Sequence, residues 1–252
     1  MAKSTGWVPQ QHGAWAMIVV PYITGLVLAG RVRPLGPGDL FLGLTWLVGY
    51  FAFNATVLTL KSPPARRRRY RAPLAAYLAG AGVFGLATLY FQGWFLLTWV
   101  PAYAVVLGIS LWLAASKRER TILSGVLTIL ASCGLMAVLR ITPGTPAPTA
   151  SEVATMLAVA LYFIGTVFHV KALIRERNDP ASATRSLIFH AVFAAVVAVA
   201  VGFGWLSWPW MAWALALVAR SWWLPRGRRT PMQIGLVEIA FSAAVLLLVV
   251  FA

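Results

Sequence analysis

Polar side chains set inside apolar segments carry most of the chemical information in this 252-residue chain. In lipid such a group costs free energy unless it has a partner or a task. Gln10, Gln11 and His12 lead into the first apolar segment, and Trp15 lies just inside it. Asn54 sits late in the second segment, His169 closes the sixth, and His190 lies near the start of the seventh. Glu238 falls about one and a half turns into the ninth. A carboxylate at that depth needs a counter-cation or a proton. His190, Arg220 or another basic group would serve as a structural partner, and an exchangeable proton would make it an acid–base group. His12, His169 and Glu238 are therefore the candidates for proton transfer, while Gln11, Trp15, Asn54 and His190 are placed to bind a substrate.

Cations near the exit of the sixth segment offer a second kind of chemistry. Thr166, His169, Leu173 and Glu176 fall on one helical stripe, with Lys171 and Arg175 four apart on a neighbouring one. Two cations one turn apart at a membrane surface can clamp a phosphate directly, although they also serve as topology charges. The run Arg66–Arg69 followed by Arg71 would attract anionic headgroups, at about 1 kcal/mol per basic residue. Three histidines on separate elements, without close carboxylate spacing, make a poor zinc site. Cys133 is the single cysteine, so there is neither a disulfide framework nor a thiolate metal cluster. No phosphate loop, nucleophile elbow or dinucleotide fingerprint is present.

The elements that must position these residues are apolar helices. The chain is 60% hydrophobic and only 11% charged, against about a quarter charged in a soluble domain. Nine segments have the length and apolarity of membrane spans: Ala14–Gly30, Leu40–Leu60, Leu74–Phe91, Trp94–Ser116, Thr121–Arg140, Val153–Val170, Ser186–Trp205, Trp208–Leu224 and Gln233–Ala252. Helices are expected because every backbone group in lipid must be satisfied within its own segment. All of the 21 Lys+Arg except Arg31, Arg33 and Arg140 fall on one side when the loops are assigned alternately. That side is the cytoplasm by the positive-inside rule, which puts the N-terminus inside and the C-terminus outside. The same rule accounts for most of the +15 net charge and removes nucleic acid as the expected partner; membrane lipids take that place. A polar N-terminus, and an apolar run without a small-residue cleavage site, give no sign of a cleaved signal peptide.

A single transmembrane domain over residues 1–252 is expected, with a weak internal repeat. Segments two to five (residues 40–140) and six to nine (153–252) share one order: helix, basic loop, helix, tight outer turn, helix, basic loop, helix. The turns Phe91-Gln92-Gly93-Trp94 and Gly204-Trp205-Leu206-Ser207-Trp208 match in flavour. Pro-rich Thr142–Thr149 is the seam between them. Gly80, Gly82 and Gly85 in the third segment read as a close helix-packing face.

Nine helices, an inside N-terminus and large basic loops after segments two and six resemble the UbiA superfamily of intramembrane prenyltransferases. The opening Gln11-His12-Gly13-Ala14-Trp15-Ala16-Met17 followed by Pro21 is similar to that superfamily's opening. Asn54 falls where its first aspartate-rich motif begins, and Arg71-Ala72-Pro73 is similar to the Arg-Pro that follows. The region around His12, the sixth-segment exit and Gly235-Leu236-Val237-Glu238 together resemble the YwiC-like family of bacterial integral membrane proteins. These resemblances imply a UbiA-like helical bundle in a bacterial plasma (inner) membrane and an isoprenoid or lipid substrate. They also imply Mg²⁺ held by aspartates, but the acidic positions are here Ala55, Leu58 and Ser62, and Lys171 and Arg175 occupy the second motif. The Mg²⁺ sites are not preserved, and no cofactor is expected.

Three functions fit this pattern. The first is a divergent, metal-independent transferase-type enzyme acting on an isoprenoid or lipid, with a cytoplasm-facing anion-binding cavity. In it Asn54 orients the substrate, Lys171 and Arg175 (with Arg71 nearby) bind the anion, and His12, His169 or Glu238 moves the proton. The second is a proton-coupled transporter of a small anion or metabolite, which needs a polar path past Gly25 and Ser132 in the outer half. The third is a non-catalytic membrane scaffold.

Overall fold

The computed structural model describes residues 6–9, 14–118 and 121–251. Among these residues the chain is helical, with no strand. The helices are α1 (Ala14–Gly30), α2 (Pro37–Lys61), the short α3 (Pro64–Arg67), α4 (Arg71–Gln92), α5 (Val100–Ala115), α6 (Ile122–Arg140), α7 (Ala150–Val170), α8 (Pro180–Gly202), α9 (Trp208–Trp223) and α10 (Pro231–Phe251). The nine long ones correspond one to one to the apolar segments of the sequence. Seven are long and apolar enough to cross a membrane. The other two, α1 with 17 residues and α9 with 16, fall short of this, about 24–26 Å at 1.5 Å per residue; α5, itself 16 residues, reaches it together with the 3-10 turn Trp94–Trp99 before it.

Local chemistry sets the helix starts. Thr149 and Glu152 form a capping box at the head of α7, and Thr121 accepts the Ser124 amide at the head of α6. Proline stands in the first turn of α2, α5, α8 and α9, where its missing N–H costs nothing. This explains why α8 begins at Pro180 rather than at Ser186. The Asp179 carboxylate accepts the Ala181 amide, so a polar stretch outside the apolar run is helical too.

α1 is the centre of the bundle. It packs on α6 along one side and on α10 along the other. It thereby joins an N-terminal set (α2, α4, α5, α6) to a C-terminal set (α7 to α10). Within the first set α2 pairs with α4, where Gly80 and Gly85 face Val48 and Thr45; Gly82 faces open space and takes no part. Within the second set α8 lies between α7 and α9.

The two ends of the bundle have opposite electrostatic character, as the loop charges require. At one end the few cations are consumed by local ties. Arg31 donates to the Val249 carbonyl at 2.8 Å, so the ends of α1 and α10 meet and the two helices run parallel. Ala14 and Phe251 therefore lie at opposite ends. Arg33 forks onto Asp39 and also reaches the Leu139 carbonyl, and Gln92 donates to the same Asp39. Arg140, fully buried, forks onto Glu152 through Nε and Nη2, and its Nη1 donates to the Pro146 carbonyl. The other end carries the basic loops.

Between these ends α1 and α6 approach closely at Gly25, where an added Cβ would sit 2.6 Å from Leu139 Cδ1 and 3.1 Å from the Met136 Cα. Ser132, on the same helix pair, is buried. Gly25→Ala should therefore push two helix backbones apart and cost about 1–3 kcal/mol, in the range of core overpacking. Gly82→Ala, which meets nothing within 4 Å, should leave the detergent melting temperature unchanged. Equal melting of the two variants would show that the contact is slack.

Candidate functional site

Four helices of the C-terminal set bring polar side chains into one buried cluster inside the bundle. Arg220, 4% exposed, projects from the last turn of α9. Its Nη1 donates to both Glu238 oxygens at 2.8 Å, and its Nη2 lies 3.1 Å from His190 Nε2. Thr166 on α7 donates to Glu238 Oε2 at 3.2 Å. Tyr162, one turn earlier on α7, contacts Ser242 Oγ at 2.9 Å. The guanidinium also lies over the Phe241 ring, 4.8 Å from its centroid, which adds a cation–π contact.

The partners fix the charge of His190. Its Nδ1 lies 2.8 Å from the Ser186 carbonyl, which only accepts, so Nδ1 carries the hydrogen. Its Nε2 faces Arg220, which only donates. His190 is thus the neutral Nδ1–H tautomer. Gly165 leaves room for it, because a Cβ there would come within 2.9 Å of Nε2. His169 stands beside it, ring centroids 5.9 Å apart, with Nδ1 3.3 Å from Ser186 Oγ.

The cluster is not saturated. His169 Nε2, Arg220 Nε and Ser221 Oγ are buried and have no hydrogen-bond partner. Both Glu238 oxygens share a single guanidinium nitrogen, a weaker arrangement than two parallel bonds. Arg140–Glu152 shows the contrast: there all three guanidinium nitrogens donate, and the carboxylate also takes the Thr149 amide. Arg33 likewise leaves Nε unpartnered, but its Asp39 carboxylate accepts from both Nη groups, the Gly36 amide and Gln92.

Towards the basic end the cluster is roofed by apolar side chains. Leu173, Leu224 and Ile234 form a buried group, each one helical turn from His169, Arg220 and Glu238 respectively. Beyond them lies a cavity of about 230 Å³ lined by Arg177, Asn178, Asp179, Arg229 and the outer faces of Leu173 and Ile234. Arg177 shapes it, donating from Nε to the Leu173 carbonyl and from Nη2 to the Arg229 carbonyl. Towards the other end the four helices are filled by Val159, Phe193, Val197, Trp210, Trp213 and Val245.

Of the residues picked from sequence, the structure brings together His169, His190 and Glu238. Lys171 lies on the π-helical turn Lys171–Arg175, and its ammonium pairs with Glu176 at 2.8 Å rather than joining the cluster. Arg175 on that turn is exposed. Asn54 is half-buried on α2, which packs against α4 and α5 and away from α7 to α10. Arg71 is exposed at the start of α4. Trp15 packs edge-on against Phe51 of α2, 5.9 Å between centroids. Gln11 and His12 lie outside the described residues. Among the described residues the resemblance-implied Mg²⁺ finds no fitting donor set. Glu176 is held by Lys171 and Ser182, and among the described residues no group of three His, Cys, Asp or Glu is placed to hold a metal ion.

Sequence reasoning named Arg220 only as a candidate partner and counted it with the basic loop. The available signal was its position: it precedes Ser221-Trp222-Trp223-Leu224, so the apolar helix continues past it. Tyr162, Ser186, Ser221 and Ser242 gave no such signal, since hydroxyls are common in buried helices.

Residues 8–140 match the YwiC-like protein family, and a Bacillus subtilis (strain 168) protein named "Uncharacterized protein YwiC" is 33% identical over 239 residues, 92% of each chain. The chain belongs to the YwiC-like family. A second relative, an "Uncharacterized protein" of Haemophilus influenzae, is 28% identical over 253 residues, covering 97% of this chain and 98% of its own. No solved structure matches the chain. The YwiC-like match ends at Arg140, before α7, whereas likeness to both relatives runs across nearly the whole length.

Removing one member of the buried pair leaves an uncompensated charge, so Arg220→Met or Glu238→Leu alone should each cost about 3–5 kcal/mol. The double variant should cost far less than their sum, as read by thermal melting in detergent; additive losses would show that the two side chains do not act as a pair. A pH effect is expected at the loop. The Lys171 hydrogen bond, then that of Ser182, holds the half-buried Glu176 carboxylate below its ordinary value. A depressed carboxylate contributes above its unfolded value and loses that contribution as pH falls through the lowered one. Protease nicking of residues 176–179 should therefore rise on acidification, and Glu176→Gln should already nick readily at neutral pH.

Proposed function

We propose that this YwiC-like protein is a multi-pass protein of the bacterial plasma membrane that binds the anionic head of an isoprenoid or lipid substrate without a metal ion. Arg220 is the anion-binding cation, and Glu238, which it holds, is the proton-handling group. The role is that of a divergent transferase-type enzyme. The observation that carries this reading is the unsaturated cation in the bundle: Arg220 offers an unused Nε and holds Glu238 through one nitrogen. Ionisable groups within membrane spans default to function, and a guanidinium recognises phosphate or carboxylate without a metal.

Access is from the basic end, the cytoplasmic one under the positive-inside rule. There the 230 Å³ cavity is lined by Arg177 and Arg229, and a single apolar layer separates it from the cluster. This revises the anion clamp expected from Lys171 and Arg175, since the Lys171 ammonium is bound to Glu176. The apolar layer of Trp210, Trp213, Phe193 and Val245 behind the cluster favours a one-sided site, and hence the enzyme reading over transport.

The test is binding of geranyl phosphate, compared with uncharged geraniol, to the protein purified in mild detergent. The phosphate should bind at least tenfold more tightly, with no change on adding chelator. The Arg220→Met/Glu238→Leu double variant, whose two charges are removed together, should lose that preference while remaining folded. Equal affinity for alcohol and phosphate in the parent protein would refute the anion-binding role.

A further inference from the structure

Charge balance in the cluster has a consequence for how an anion enters. As built, the site is neutral: one guanidinium, one carboxylate, a His190 that its partners hold neutral, and a His169 whose only partner is a hydroxyl. Arg220 cannot give up its proton. A monoanion arriving alone would leave a net negative charge walled off by Leu173, Leu224 and Ile234 on one side and by Trp213 and Val245 on the other. An unpaired charge in such surroundings is strongly disfavoured.

We propose that an anion occupies this site together with one proton, and that Glu238 is the group that accepts it. This rests on the anion-binding reading of Arg220 given above. Protonating Glu238 does two things at once. It cancels the negative charge that would repel the newcomer, and it releases Nη1, which Glu238 otherwise engages with both oxygens. Together with the unpartnered Nε, that turns the guanidinium from the internal carboxylate to the external anion. The neutral carboxylic acid keeps a place for its oxygens at Thr166.

The other titratable and charged groups on the packed helices serve less well. A proton on His169 would leave the Glu238 carboxylate in place on Arg220 and set an imidazolium beside the guanidinium. His190 already donates from Nδ1 and receives Arg220 at Nε2, so it has no site for a proton without losing that contact. Tyr162 on α7 is engaged with Ser242. From the neighbouring helices, Tyr22 of α1 donates to the Asp39 carbonyl at the far end, and Cys133 of α6 lies in the apolar core. Lys171 and Glu176 pair with each other outside the apolar layer, and Arg177, Asp179 and Arg229 line the cavity there. Both anion and proton would pass from that cavity through the Leu173–Leu224–Ile234 layer.

The experiment uses a probe whose own charge does not titrate, geranyl sulfonate, with the full-length protein in detergent between pH 5.5 and 8. Affinity should weaken close to tenfold per pH unit over the upper part of this range. Calorimetry in buffers of different ionisation enthalpy should report uptake of about one proton per bound sulfonate. Glu238→Gln, which carries the neutral state permanently, should bind at pH 8 as tightly as the parent does at pH 5.5 and should lose the slope; His169→Gln should keep it. A pH-independent parent affinity without proton uptake would overturn the coupling while leaving anion binding standing. A full slope retained in Glu238→Gln would overturn Glu238 as acceptor. No binding by any form at any pH would overturn the anion-binding reading, and the coupling with it. Should Glu238→Gln fail to fold, the buffer dependence of the parent decides whether a proton is taken up, and uptake lost in His169→Gln would overturn Glu238 as its acceptor.

Discussion

A guanidinium inside a membrane bundle has to be answered by the rest of the structure, because it cannot shed its charge. Arg220 is that group. Its burial demands a carboxylate, and Glu238 from α10 supplies it. Its second nitrogen demands an acceptor, and the neutral tautomer of His190 from α8 supplies that. His190 in turn needs the Ser186 carbonyl one turn back and the empty space left by Gly165 on α7. Four helices are thereby registered against each other by one cation, in a place where apolar side chains alone would allow them to slide. Burying an ion pair is seldom the most stabilising solution, and this one leaves the guanidinium Nε without a partner, which is why we propose a chemical role for it.

The remaining ion pairs serve another purpose. Arg33–Asp39 and Arg140–Glu152 sit where helices begin and end, and each carboxylate there also caps a helix start: Asp39 accepts the Gly36 amide, Glu152 the Thr149 amide. Such contacts fix loops and helix entry angles at the weakly charged end. At the opposite end Glu176 gathers Lys171, Ser182 and Arg185 around the π-helical turn. That turn lets α7 deliver Leu173 to the apolar layer and then release the chain into the basic loop. A cationic cavity, a thin apolar layer, a polar cluster and a thick aromatic plug therefore follow one another along the α7–α10 unit.

Much of this was legible in the amino-acid order. Hydropathy is a local property, and lipid enforces helices wherever it persists, so nine segments became nine helices with ends shifted by no more than three residues, except that α8 begins six residues early at Pro180 and α5 six residues late, after the 3-10 turn Trp94–Trp99. The alternation of loop charge placed Arg31, Arg33 and Arg140 together at one end. Glu238, His169 and His190 stood out because each is polar where its neighbours are not, and the structure gathers all three. The same logic was blind to hydroxyls such as Tyr162 and Ser242, which sit as comfortably in any buried helix.

What only the tertiary structure decided is who pairs with whom. Lys171 and Arg175 look like a clamp on a helical wheel, but Glu176 and a π-helical turn claim the lysine. Asn54 reads from the order of residues as one more polar group beside the cluster, but it lies on α2, which packs on α4 and α5. Arg220 reads as one more cation beside a basic loop, yet α9 carries it inward to become the centre of the site. The order of residues alone determined which segments are apolar helices, since that depends on each segment's own transfer free energy. The azimuth of each helix and the identity of its neighbours depend on packing between distant segments, as at Gly25 against Met136 and Leu139, and only the folded bundle contains that information.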